Sequence, residues 1–148
     1  MSRVERDEWN AAAVREWALV EILNEIDVSD MGNHPEFSEW FAPDFVREDR
    51  RKIIGAPDVD AAGFVGQMQA WFELGQGAPT FEPLEVVAVS GDRLVVIHIS
   101  VAFGTHQAVE MLHVGLFDPA VRRQERIVTF DVEAREEAIA EMRRFAAE

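Results

Sequence analysis

The sequence predicts one α+β domain. Amphipathic helical segments fill its first half, four β-branched runs divided by turn residues follow, and one more amphipathic helix closes it. With 148 residues, nearly half of them hydrophobic, and ten Phe and four Trp among them, the chain can bury one core, so residues 1–148 are read as a single domain.

From Trp9 to Ile26, Ala13, Trp17, Val20 and Ile26, with Ala12, Leu19, Ile22 and Leu23 beside them, recur at helical spacing, while Arg15, Glu16, Glu21 and Glu25 fall largely elsewhere. This predicts a long first helix. Pro35 opens a short second helix through Glu39, Trp40 and Phe41, which Pro43 ends. Phe45 to Ile54 reads as a short strand interrupted by the charged run Arg47 to Lys52. Asp58 or Asp60 caps a third helix carrying Phe64, Val65, Met68, Trp71, Phe72 and Leu74, stopped by Gly75 and Gly77. The runs Leu84–Val89, Leu94–Phe103, Val109–Phe117 and Ile127–Val132 predict an antiparallel meander. Glu133 to Phe145 closes the domain as a helix with a solvated acidic face. All helices are expected on one concave sheet face.

Composition excludes several functions. The 28 acidic residues outnumber 14 basic ones, and the net charge of −14 repels phosphate backbones and anionic lipid, so neither nucleic acid nor a membrane is expected as partner. There is no cysteine, hence no disulfide, thiolate metal site or thiol nucleophile. The opening MSRVERDEWN has charges where a signal peptide needs an apolar core, and a cytoplasmic location is expected.

The element order, with the strings FAPDFVREDRR, SGDRLVVIHISVAFGTH and ERIVTFDVEAREEAIAEM, resembles the SnoaL-like branch of the nuclear transport factor 2-like superfamily. The resemblance runs from Trp9 to the closing helix. It implies a cone-shaped, curved antiparallel sheet wrapped around helices and enclosing an apolar pocket.

By resemblance to ketosteroid isomerase within that superfamily, Asp49 matches the carboxylate base and His113, in EMLHVGLFD, matches an oxyanion-hole position. The isomerase's helix-1 tyrosine has no counterpart: the chain has no tyrosine, and Ile22 is the nearest match. The Asp-Arg-Asp set of the superfamily's epoxide hydrolases is replaced by His98, Ser100 and Val128, and the strand that carries the base in SnoaL cyclases reads Ile127, Val128, Thr129, Phe130 before Asp131.

Asp49 in a dry pocket would be a base with a raised pKa, but Arg50 and Arg51 beside it equally allow an ordinary ion pair. A neutral His113 could donate to a developing oxyanion, or be a core histidine bonded to a carbonyl. His98 and Ser100 share one strand face, and Ile97, Ile99, Val101 and Phe103 the other. By the resemblance the apolar face lines the pocket, which puts His98, a secondary catalytic candidate, on the outer face that commonly forms a homodimer surface. Trp17, Trp40, Phe41, Phe64, Met68, Trp71, Ile97, Ile99, Val101 and Phe130 are expected to supply the core and the pocket lining, around a flat, apolar, neutral or carbonyl-bearing ligand. No metal site and no cofactor are expected. Two functions follow: a cofactor-independent acid-base isomerase or cyclase acting on a polyketide-like or steroid-like carbonyl compound, or a non-catalytic ligand-binding or homodimerising module.

Overall fold

The computed structural model describes residues 3–26, 39–52, 55–74, 79–103 and 108–148; the side chains of residues 71, 72, 74, 79 and 103 lie outside that description. Its elements are helix α1 (Ala11–Ile22), strand β1 (Phe41–Asp49), helix α2 (Ala61–Leu74), strands β2 (Pro79–Ser90), β3 (Leu94–Phe103), β4 (Val109–Phe117) and β5 (Gln124–Asp131), and helix α3 (Arg135–Ala146). No helix among the described residues is long and apolar enough to cross a membrane.

The strands form one curved, unclosed sheet in the order β1-β5-β4-β3-β2. β2 to β5 are the expected antiparallel meander, but β1 runs parallel to β5, with Arg47 beside Ile127 and Asp49 beside Thr129, so the sheet is mixed. β1 also begins earlier than its charged run suggested. Phe41 and Pro43, expected in and after a short helix, lie within the strand, since a proline near a strand's start removes only one ladder donor. Of the short helix expected from Pro35, residues 35–38 fall outside the described residues, and Glu39 and Trp40 form a turn that leads into the strand.

α1 is shorter than the apolar pattern implied and is pinned at both ends. The Asn10 side chain accepts from the Ala13 N–H at 2.8 Å, and its amide donates to the carbonyls of Gly91 and Leu94 in the β2–β3 turn. Gly91 has φ +54°, a left-handed conformation that glycine adopts without strain. Beyond the helix, the Asn24 amide bonds both the N–H and the carbonyl of Phe81. α1 is thereby fixed across β2 and β3. α2 starts at Asp60, whose carboxylate accepts from the Gly63 N–H at 2.9 Å.

The helices lie on both sheet faces, not on one. α1 and α2 cover the face bearing Val95, Ile97, Ile99, Val101, Met111 and Ile127. α3 covers the other, where Ala138, Met142 and Phe145, at i, i+4 and i+7, meet Val96, Leu112, Val114, Val128 and Phe130. A closing helix with a three-residue apolar stripe must bury it somewhere, and the outer sheet face offers matching β-branched side chains.

Candidate functional site

Alternation along the strands puts Ile99 and Val101 of β3, Met111 and His113 of β4, Ile127 of β5 and Arg47 of β1 on the α1–α2 side. With Glu16, Val20 and Leu23 of α1, Phe64 and Met68 of α2, Trp40 and Phe81, they line an apolar cavity of about 60 Å³. A second hollow of about 180 Å³ lies beyond Arg47, Phe64 and Met68, which line both.

Three ionisable groups reach the cavity, and its apolar lining shifts each. Glu16 is 2% exposed, and burial pushes its carboxyl up to about 7 against the opposing Gln124 hydrogen bond and the Arg15 charge. His113 is pushed down to about 3, first by burial and then by the cations Arg47 and Arg51, so its imidazole is neutral. Its Nε2 is buried with no hydrogen-bond partner among the described residues. Arg47 falls to about 10, again by burial, yet stays protonated; it donates to Thr129 Oγ1 at 3.2 Å and Gln67 Oε1 at 3.3 Å and lies 3.5 Å from Asp49.

Beside the cavity sits a buried ionic cluster. The Asp49 carboxylate has no exposed surface and receives Arg51 through both oxygens, at 2.9 and 2.6 Å, as well as the Arg51 N–H. Burial would raise its pKa, but the Arg51 hydrogen bonds and the Arg47 charge outweigh it and hold the carboxyl below its usual range. Asp49 does not line the cavity. A carboxylate bound bidentately by arginine, its charged form favoured, is unsuited to take up a proton near neutral pH.

Of the other expected lining residues, Trp40, Phe64, Met68, Ile99 and Val101 line the cavity, whereas Phe41 and Ile97 lie in the adjoining core. Trp17 packs against Trp9 at 4.9 Å near Arg6, away from the cavity. Phe130 is on the outer face, under α3 and beneath Arg50, because from Arg126 onward the even positions of β5 point that way; the register shift just before Arg126 leaves Gln124 on the α1 side. The side chain of Trp71 lies outside the described residues. His98 is also on the outer face, its Nε2 2.7 Å from Glu110 and its Nδ1 3.7 Å from Glu85. His98 pairs with Leu112, and His113 with Ile97, so the two histidines face opposite ways, and no metal-binding cluster occurs among the described residues.

Sequence reasoning missed Glu16, Arg47 and Gln124. For Glu16 a signal was present: Ala13, Glu16, Val20 and Leu23 follow one another by three, four and three residues, the spacing of a single helix face.

Several solved structures share this architecture. A de novo designed nuclear transport factor 2 fold protein, NT-9, matches 96% of this chain and 98% of its own at 16% identity with a TM-score of 0.53. The fold is that of the nuclear transport factor 2-like proteins. A steroid delta-isomerase from Pseudomonas aeruginosa has the same fold at 16% identity and a TM-score of 0.52, covering 93% of this chain and 92% of its own. SalBIII, an epoxide hydrolase/cyclase-like enzyme of pyran ring formation in the polyether salinomycin, matches at 12% identity and 0.55, covering 80% and 88%. No family model and no curated protein matches the sequence. At such identities the nuclear transport factor 2-like fold is shared; the chemistry must be read from this chain's own cavity.

Proposed function

We propose that this chain binds a small, largely apolar carbonyl compound in the cavity and moves a proton on it, with Glu16 as base and acid. The observation that carries this reading is the Glu16 carboxyl, held in an apolar cavity at a pKa of about 7, beside a neutral imidazole whose Nε2 has no partner. A carboxyl half-ionised at neutral pH can both take and return a proton. In the Nε2–H tautomer His113 donates to the ligand's carbonyl oxygen, and the Arg47 cation stabilises negative charge developing there. The apolar walls exclude water, strengthening both interactions.

The steroid isomerase and cyclase-like neighbours support a pocket of this class, although the base used here is Glu16 and not Asp49, the residue suggested by the resemblance. The enclosed volume is smaller than a benzene-sized cavity of roughly 150 Å³. A ring-sized ligand therefore needs Phe64 and Met68 to turn, opening the cavity toward the hollow behind them. Met68, with three rotatable bonds, does so at low cost.

The test is solvent deuterium incorporation into small enolisable ketones, from cyclohexenone to tetralone in size, followed by mass spectrometry. Glu16→Gln is expected to reduce exchange by about 10²-fold or more, and His113→Ala to weaken it. Exchange at the wild-type rate in Glu16→Gln sinks the proposal. The second reading, a non-catalytic ligand-binding module, is favoured by Asp49 being bound to Arg51, and retention of a ketone without exchange would support it.

A further inference from the structure

Two polar side chains form one chain of donors that ends on Glu16. The Trp40 indole N–H donates to Gln124 Oε1, and Gln124 Nε2 donates to Glu16 Oε1 at 2.9 Å. The first link is doubled, since the Gln124 backbone N–H also donates to the Trp40 carbonyl at 2.7 Å. Gln124 is fully buried, at the start of β5. An indole N–H can only donate, so the Gln124 oxygen must face Trp40 and its amino group must face Glu16. The amide therefore has one orientation, and Glu16 Oε1 is always the acceptor. Glu16 Oε2 makes no hydrogen bond among the described residues. Beneath the carboxyl lies Gly115, where a Cβ would stand 3.1 Å from both Gln124 Nε2 and Glu16 Oε1; glycine leaves room for this bond.

We propose that Gln124, oriented by Trp40, is the positioning residue for Glu16: it holds one carboxyl oxygen and leaves only Oε2 to exchange a proton with the occupant of the cavity. This rests on Glu16 being the proton-transferring group. The chain also transmits charge. An ionised Glu16 strengthens the bond from Gln124, which makes Gln124 Oε1 a better acceptor for Trp40, because linked hydrogen bonds polarise one another. The Trp40 indole proton becomes a reporter of Glu16 ionisation. The other charged or titratable groups facing Glu16 are Arg15 on its own helix and, around the cavity, Arg47 on β1 and His113 on β4; β2, β3 and α2 contribute Phe81, Ile99, Val101, Phe64 and Met68.

The experiment is nuclear magnetic resonance titration of the ligand-free protein, following the Trp40 indole signal, assigned by its loss in Trp40→Phe, and the labelled Glu16 carboxyl carbon. In the wild type both should titrate together, with a midpoint near 7. In Gln124→Met the Trp40 signal should stop titrating while the Glu16 midpoint rises, since a bond favouring the carboxylate is gone. An indole signal that ignores pH in the wild type, or a Glu16 midpoint unmoved in Gln124→Met, overturns the proposal. Should Gln124→Met not fold, Gly115→Ala supplies the perturbation, with the same midpoint shift expected and its absence equally fatal. Ketone exchange that survives Glu16→Gln while Trp40 titrates as stated removes the functional reading alone. Exchange that requires Glu16 with a silent Trp40 removes the positioning role alone.

Discussion

The opposite pKa shifts of Glu16 and His113 should give two single variants opposite stability–pH slopes. Glu16 titrates at 4.5 when unfolded and about 7 when folded, so the folded protein holds that proton more tightly. Its favourable contribution is complete below pH 4.5 and is lost as pH rises through 7, about 1.4 kcal/mol per pH unit and about 3 kcal/mol in all. His113 falls from 6.5 to about 3, so its contribution is complete above pH 6.5 and lost as pH falls toward 3, at a similar slope of about 1.4 kcal/mol per unit. Between pH 4.5 and 6.5 the two slopes cancel. Glu16→Gln, which keeps an oxygen for Gln124 to bond, should gain stability over the wild type as pH rises, levelling near pH 7 at about 3 kcal/mol, or roughly 10 °C in Tm. His113→Gln should gain instead as pH falls below 6.5. Glu48, Asp49 and Glu141 have lowered pKa values, titrate below this window and cancel in the differences. The assay is urea unfolding followed by tryptophan fluorescence at half-unit pH steps. A flat difference between Glu16→Gln and wild type would refute the reasoning, since it means Glu16 titrates alike in both states.

Asp49→Asn should destabilise the protein by about 3–5 kcal/mol in the same assay, because it leaves the buried Arg47 and Arg51 cations without their shared carboxylate. A variant as stable as wild type would mean that these charges are compensated by other groups. Phe64→Ala should cost about 3–5 kcal/mol and join the cavity to the hollow behind it, so that benzene raises its Tm more than that of the wild type; an equal response in both proteins would place the barrier elsewhere.

Elements whose apolar period matched one buried face were legible in the sequence: the four-strand meander, the helix capped by Asp60 and the closing helix. β1 was not, because half of its pattern is ionic. Arg47 and Asp49 point inward with side chains no more than 5% exposed, and alternation read as polar-outward fails where buried charges satisfy one another. The parallel pairing of β1 with β5 is a long-range contact that no local signal encodes. His113 could be placed by counting along β4, since strand parity is rigid. Glu16 was assigned to the solvated face of α1 because a charged residue normally belongs there. Its buried partner Gln124 lies more than a hundred positions away, and only the fold brings them together.

The polar groups in and beside the cavity fall into two sets with different chemistry. Asp49 has two arginines within ion-pair reach and loses its capacity to accept a proton; Glu16 has a neutral amide and keeps it. The difference follows from what each strand brings. β1 supplies charge to charge, so its carboxylate is stabilised as an anion. β5 supplies through Gln124 a donor without charge, enough to satisfy one oxygen but not to offset burial. The resemblance points to a carboxylate on β1, yet the physical requirement for a base near neutral pH is burial with incomplete compensation, and in this chain α1 meets it. The imidazole of His113, kept neutral first by burial and then by the same arginines that bind Asp49, links the sets: the ionic cluster, unsuited to proton transfer itself, adds to the effect of burial in keeping the cavity's histidine uncharged.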